Sequence, residues 1–360
     1  MTESKPKAGR APGRSQAGSH PLGGSTDVPG GRGAGVTMEQ IAALAGVSTI
    51  TVSRALRDSP SVTPATRERI KTLAEAAGYR FNHHARNLRL RRSHMVAVML
   101  EMQPDTDRPM TDAYPLQLLG GITQELTSRG YSVLLSAMQS PGQGMAASAD
   151  GVILLGQGAN GSAVKSAAAM GLPLVVWGAE HGRGDAVVVG GDNAHGGACA
   201  AERLIALGRR ELCFLGDVRH AEIRDRQQGF AKALKKAGLK AHTLTPAAFT
   251  FGAGFTAVQA HLANLGRGGK APDGLFAASD LLAMGAVRAF TDAGLAVPDQ
   301  VSVIGYDDSP AAHSFAPPLT SVRQDWHHGG VLLARKVLDL IAGQGAASEI
   351  MPTELVIRAT

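Results

Sequence analysis

A chain of 360 residues and 37.2 kDa exceeds what one small core organises, and predicts two or three compact domains. With 44% hydrophobic and 18% charged residues, and no apolar run near the roughly eighteen positions a membrane helix needs, a spanning segment is excluded. The basic N-terminus lacks the apolar stretch of a secretory signal. The two cysteines, Cys199 and Cys213, cannot build a disulfide framework or a cysteine-based metal site and suit a reducing cytoplasm.

Charge divides the chain before any element does. Residues 1–92 carry 15 Lys and Arg against 6 Asp and Glu, and residues 93–360 carry 21 against 24, so local charges of +9 and −3 make up the net +6. A small basic module joined to a large, nearly neutral one is the footprint of a nucleic-acid reader attached to something else. Residues 1–35 hold nine Gly and four Pro with no aromatic residue, too little apolar surface to offset ordering entropy, and are predicted to be a disordered tail.

From Val36 to residue 80 the pattern is helical. Thr37 with Gln40 forms a capping-box signature, and Gly46 closes that helix after Ala45. Ser48 caps a second helix, Thr49–Leu56, which stops at Asp58–Ser59–Pro60. Thr63 followed by Pro64 opens a third, which ends at Gly78. Ile41, Ala42, Ala45, Val47, Val52, Leu56, Ile70, Leu73 and Ala74 recur at helical spacing and can form one small core. Three short helices with a tight turn between the first two describe a helix-turn-helix. Residues 81–92 are rich in arginine and poor in apolar residues, and read as a linker that orders on something negative.

Beyond Ser93, short β-branched runs alternate with Ala/Leu-rich helical stretches. The runs fall at Met95–Leu100, Tyr131–Leu135, Gly151–Leu155, Leu174–Trp177, Val187–Val189, Leu212–Leu215, His242–Leu244, Gly274–Ala277 and Val301–Ile304. This alternation predicts an α/β fold of two doubly wound lobes, with the first lobe ending near residue 190 and the chain crossing back near 322. Ligands then bind beyond the carboxyl ends of the strands, in the cleft between lobes. Only Ser136–Asp150 connect the second and third strands, little for a parallel crossover, so the first lobe is expected to be trimmed there.

One enzymatic alternative stands beside this reading. Gly156–Gln157–Gly158–Ala159–Asn160–Gly161 follows a predicted strand, and Glu180 lies downstream, the pattern of an NAD-binding phosphate loop with its ribose carboxylate. It falls on the third strand rather than the first. The chain has no GxxxxGK[ST], HExxH or GxSxG motif, and no enzyme activity or cofactor is predicted.

Val36–Leu56 (VTMEQIAALAGVSTITVSRAL) and Val62–Asn82 (VTPATRERIKTLAEAAGYRFN) resemble the DNA-binding headpiece of lactose-repressor (LacI/GalR) type regulators. The likeness continues through Arg224–Phe230, Ala278–Phe290, Val301–Pro310 and Pro317–Trp326, about 325 residues in all. It implies a homodimeric repressor with a helix-turn-helix headpiece, a hinge, and a periplasmic-binding-protein-like domain over residues 93–360. Its partners would be a pseudo-palindromic double-stranded DNA operator and a sugar or sugar-derived effector, with no membrane involved. The absence of a heptad zipper in Asp339–Thr360 favours a dimer over a tetramer.

The resemblance also assigns residues. Thr49, Ile50 and Arg54 face the major groove, where Arg54 can fork onto guanine and the other two offer methyl groups to thymine. Thr37, Ser48, Thr51, Ser53 and Asn82 are candidate phosphate donors. Asn82–Leu90 would fold into a helix on the operator, with Leu88 wedging into the minor groove. Phe81 stands where proline is common in the family, and His83–His84 are unusual. In the large domain Arg226 and Asp307 would bracket effector hydroxyls and Trp326 would stack on a ring, with Glu101, Ser279 and Asp280 nearby.

Overall fold

The computed structural model describes residues 36–79, 92–101, 112–138, 145–181, 183–265 and 269–360. The chain divides into two compact units, Met1–Asn82 and His83–Thr360. The predicted tail and the Asn82–Leu90 hinge, with Asn82 and Leu88, lie outside the described residues.

In the first unit, helices α1 (Met38–Ala45), α2 (Thr49–Ala55) and α3 (Pro64–Ala76) form where the sequence signals place them. Thr37 Oγ1 accepts from the Gln40 amide while the Gln40 side chain accepts from the Thr37 amide, so two amides that the helix leaves orphaned are satisfied reciprocally. Gly46 ends α1 with φ 62° and lets the chain turn sharply into α2. Ile41, Val52, Ala55 and Ile70 are fully buried in the shared core. Arg69 ties α3 to this turn by donating to the Ala45 carbonyl at 2.9 Å.

The second unit holds two six-stranded sheets. In lobe 1, β1 (Met95–Leu100), β2 (Ser132–Ala137), β3 (Gly151–Leu155), β4 (Leu174–Trp177), β5 (Val187–Gly191) and β11 (Glu349–Met351) pair in the order β11-β5-β4-β3-β1-β2, all parallel. In lobe 2, β6 (Leu212–Leu215), β7 (Ala241–Leu244), β8 (Gly274–Ala277), β9 (Ser302–Asp307), β10 (Thr320–Arg323) and β12 (Glu354–Val356) pair as β12-β10-β9-β8-β6-β7, and only β12 runs antiparallel. The central strands are buried along their whole length, as parallel strands covered on both faces must be. Each sheet reverses its order beside its first strand, so the crevices between β1 and β3 and between β6 and β8 are the places where a doubly wound fold takes ligands.

Three connections join the lobes. The chain leaves lobe 1 after β5, returns after β10, and crosses again between β11 and β12. The sequence pattern anticipates only the first two, because β11 and β12 are three residues each and too short to register as strands. Between β2 and β3 the described residues hold a single 3-10 turn, Met145–Ser148.

Helices α4 (Ala113–Ser128) and α11 (Trp326–Ile341) pack on lobe 1, and α6 (Asn193–Ala206) and α7 (Ala221–Lys236) on lobe 2. The α6–α7 pair touches backbone to backbone through Gly197 and Gly229. A Cβ on Gly197 would meet the Arg226 carbonyl oxygen, and one on Gly229 the Ala194 carbonyl oxygen. Neither neighbour is a flexible side-chain end, so the helices must separate. Gly229→Ala is therefore expected to cost about 1–3 kcal/mol, the usual toll of overpacking. A lowered urea midpoint with an unchanged slope checks this; an unchanged midpoint contradicts the packing argument.

Candidate functional site

The helix-turn-helix presents α2 outward. Ile50 is 61% exposed on its second position. Arg54 is exposed one turn further on, while Val52 and Ala55 face inward. Thr49 and Thr51 are half-buried beside them. Ser48 Oγ accepts from the Thr51 amide at 3.2 Å and lies 2.9 Å from the Thr51 hydroxyl, and Thr37 is committed to its capping box. The Ser53 hydroxyl accepts from Arg57 at 2.9 Å. Ser48, Thr37 and Ser53 thus have local structural duties.

The large unit contains a cavity of about 330 Å³ between its two lobes. It opens at the carboxyl ends of the strands: Glu101 follows β1, Gly156 follows β3, Trp177 ends β4, Asp217 lies just beyond β6 and Asp307 ends β9. Of the side chains expected there, Glu101, Arg226 and Asp307 line it. Arg226, on α7, is buried and well held. Its Nε donates to Asn193 Oδ1 at 2.8 Å, its Nη1 to the Ala278 carbonyl at 2.5 Å, and its guanidinium lies 3.6 Å from the Tyr306 ring centre. The Tyr306 hydroxyl donates to the same Asn193 oxygen at 3.2 Å, and burial pushes that phenol's pKa well up. Asp307 sits at φ 115° and Asp308 at φ 51°, a strained pair of the kind stored at functional sites. Gln324 donates to Asp307 at 2.9 Å, and Arg323 and Arg358 hold Asp308 in ion pairs.

Trp326, Ser279 and Asp280 occupy other positions than expected. Trp326 is 2% exposed in the lobe 1 core, at the first turn of α11, edge-on to Tyr114 with ring centres 5.8 Å apart. Its ring lies behind the cavity wall, and Tyr114 is the residue in front. Ser279 caps helix α9 (Asp280–Asp292) by accepting from the Leu282 amide. Asp280 accepts from the Ser309 amide at 2.7 Å and the Ser321 hydroxyl at 2.6 Å, which joins β8, β9 and β10 beneath the cleft.

The fully buried Asp280 carboxyl is pushed up to about 8 from 3.8, first by desolvation and then by the nearby Asp307, against the pull of Ser321 and Ser309. A carboxyl whose pKa is higher folded than unfolded gives stability that is complete below about pH 4 and is lost as pH rises through about 8. Asp280→Asn has no proton to lose and so cannot become charged as pH rises. The melting temperature of the parent relative to that of the variant is expected to fall between about pH 5 and 8.5; a constant difference would show that the site does not disfavour the ionised acid.

Residues that sequence reasoning missed complete the cavity. Tyr114 and Trp177 come from lobe 1, and Asp217, Arg219, His220, Glu222 and Phe249 from lobe 2. Arg219 grips Asp217 through two nitrogens at 2.6–3.0 Å. Burial raises the Asp217 pKa, but these hydrogen bonds outweigh it and leave the group below its ordinary value. Two contacts bridge the lobes at the mouth: the Asn160 amide donates to the Arg219 carbonyl at 2.9 Å, and His181 Nδ1 lies 3.1 Å from Asp225. The Gly156–Gly161 loop therefore reaches across the cleft, and the Gln157 side chain is fixed by Ala179 and His181 backbone groups.

Residues 37–82 match the family described as bacterial regulatory proteins, lacI family, and residues 201–360 match a periplasmic binding protein-like domain. The HTH-type transcriptional regulator CelR of Thermobifida fusca is 32% identical over 338 residues, 89% of this chain and 97% of that protein. The chain belongs to the lacI family. Among solved structures, the lac repressor dimer bound to operator and the anti-inducer ONPF superposes with a TM-score of 0.78 at 26% identity, covering 90% of this chain and 98% of that one. A CelR–cellobiose complex superposes with a TM-score of 0.64 at 29% identity, covering 90% and 99%. As a lacI-family member the chain is a DNA-binding transcriptional regulator with a headpiece and a two-lobed effector-type domain. The NAD-binding alternative finds no support in these relatives.

Proposed function

We propose that this regulator acts as a homodimeric repressor that binds a pseudo-palindromic operator and answers to a sugar held between the lobes of its large domain. The cavity carries the effector part of this reading: planar hydrogen-bonding groups (Glu101, Arg226, Asp307, Gln324) share its wall with the aromatic rings of Tyr114, Trp177 and Phe249. Sugars require both, forks for hydroxyls and flat apolar faces for the ring. A relative whose solved structure is a complex with cellobiose supports the same effector class. The chemistry is binding rather than catalysis, and the site of action is the cytoplasm.

On the DNA side, Thr49, Ile50 and Arg54 read base edges, while Thr37, Ser48, Thr51, Ser53 and Asn82 position the headpiece on phosphates. Leu88 wedges into the centre of the operator. Closing the cleft moves the lobes, which changes the support given to the hinge and so the operator affinity. Selection of binding sites from random duplex DNA at about 150 mM salt tests this. A two-fold-symmetric site is expected, and no enriched sequence would refute operator recognition. Leu88→Ala is expected to weaken binding to that site while sparing binding to unrelated DNA; equal losses on both would exclude the wedge.

A further inference from the structure

We infer that the effector is an uncharged glycoside of two pyranose rings, selected by Glu222 and His220; this rests on the sugar-responsive reading above. Size is the first argument. A single pyranose takes up roughly 150 Å³, about five times the ~30 Å³ share of one water. The cavity holds about 330 Å³ and is open to solvent on one side, so a single ring would leave about half of it unfilled. Its aromatic surfaces are also divided, Tyr114 and Trp177 on lobe 1 and Phe249 on lobe 2, so that each ring has a platform.

Charge is the second. Four carboxylates line the cavity, Glu101, Asp217, Glu222 and Asp307, against the guanidinium groups of Arg219 and Arg226. Arg219 is already paired with Asp217, and Arg226 has its Nε and Nη1 committed to Asn193 and the Ala278 carbonyl, so the four carboxylates outnumber the cationic groups, of which one is already neutralised. The amino end of α7 also faces this space, and a helix amino end is the natural seat for a phosphate or carboxylate. Here Glu222 occupies its first turn, so an anionic sugar would meet a carboxylate where it needs positive potential.

The third observation concerns hydrogen bonding. Glu222 Oε2 and His220 Nδ1 are buried atoms without a hydrogen-bond partner, on two cavity-lining residues that are two positions apart at the start of α7. His220 makes no capping bond there, and its ring instead packs against Phe249, with centres 5.1 Å apart. Buried polar atoms are normally paired, and neutral hydroxyls can serve both: one donates to the Glu222 oxygen, and one donates to or accepts from the imidazole nitrogen. A phosphate can give Glu222 no such bond once it is fully ionised.

The test is calorimetric titration of the full-length protein with cellobiose, maltose, lactose and trehalose, alongside glucose, galactose, glucose 6-phosphate and lactobionate, and each is repeated on its operator complex. One neutral disaccharide is expected to bind at least ten-fold more tightly than any monosaccharide or anion. Glu222→Gln should lower that affinity at least ten-fold and narrow the preference over the anions, a change in ratio that a merely loosened fold would not give. A phosphorylated or acidic sugar binding best, a monosaccharide binding as well, or no disaccharide binding to protein that still holds its operator would each overturn the inference and leave operator recognition standing. Loss of operator binding itself would instead refute the regulator reading.

Discussion

Arg226→Ala is expected to abolish the effector response and to destabilise the large domain by about 3–5 kcal/mol, the usual cost of removing one member of a buried charged network. The guanidinium serves three partners at once, so its loss strands the Asn193 amide oxygen, the Ala278 carbonyl and the face of Tyr306. The Asn193 oxygen would keep only the Tyr306 hydroxyl. Because α6 and α7 touch through Gly197 directly above the Arg226 carbonyl, the cavity left behind cannot be closed by bringing the helices nearer. Arg226→Lys separates the two effects: it retains charge but not the planar fork, and should recover part of the stability without the response. Denaturant unfolding together with operator binding at saturating sugar measures both. A normal response in Arg226→Lys would remove the arginine from the effector site.

Arg54→Ala carries the largest expected effect on DNA. A bidentate contact to guanine is worth about 1–3 kcal/mol of discrimination, and a symmetric dimer makes it twice, so specific affinity should fall by roughly thirty-fold to twenty-thousand-fold. Affinity for random DNA should change far less, by about the one phosphate-like charge removed per headpiece. The exposed position of Arg54 on α2 predicts little change in headpiece stability, since Val52 and Ala55 on the opposite face supply the packing. Footprints of parent and variant on the selected site distinguish these outcomes, and equal losses on specific and random DNA would mean that Arg54 touches only phosphate.

The headpiece was legible because its signals are local. A cap reads from Thr37 and Gln40, three residues apart, and a turn from Gly46 alone; nothing distant has to be known. The buried strands were legible for a related reason: runs such as Gly151–Leu155 and Leu212–Leu215 are apolar at every position because helices cover both faces. The cavity was legible only in part. Its lining assembles side chains from both lobes, and no sequence spacing brings Tyr114 near Phe249.

One rule could have recovered more of it. Residues just beyond strand carboxyl ends form the cleft in this architecture, and applying that to every predicted strand points to Trp177 and Asp217 as directly as to Glu101 and Asp307. Trp326 misled for the converse reason. Its place after β10 suggests the cleft, but it begins α11, and the first turn of that helix faces the lobe 1 core. Ser279 and Asp280 likewise follow β8 at the cleft, yet their polar atoms are spent on a helix cap and on tying strands together.

Reciprocity offers the most direct test of an effector-governed operator switch. If sugar and operator act through one equilibrium between lobe arrangements, each must change the other's affinity by the same factor. The measurement is the operator dissociation constant with and without saturating sugar, set against the sugar dissociation constant with and without operator, at fixed salt. Equal factors of about five-fold or more are predicted, in the same direction. A sugar that binds the large domain and leaves operator affinity unchanged would contradict the account, because it would make the cleft a binding site with no hold on the DNA.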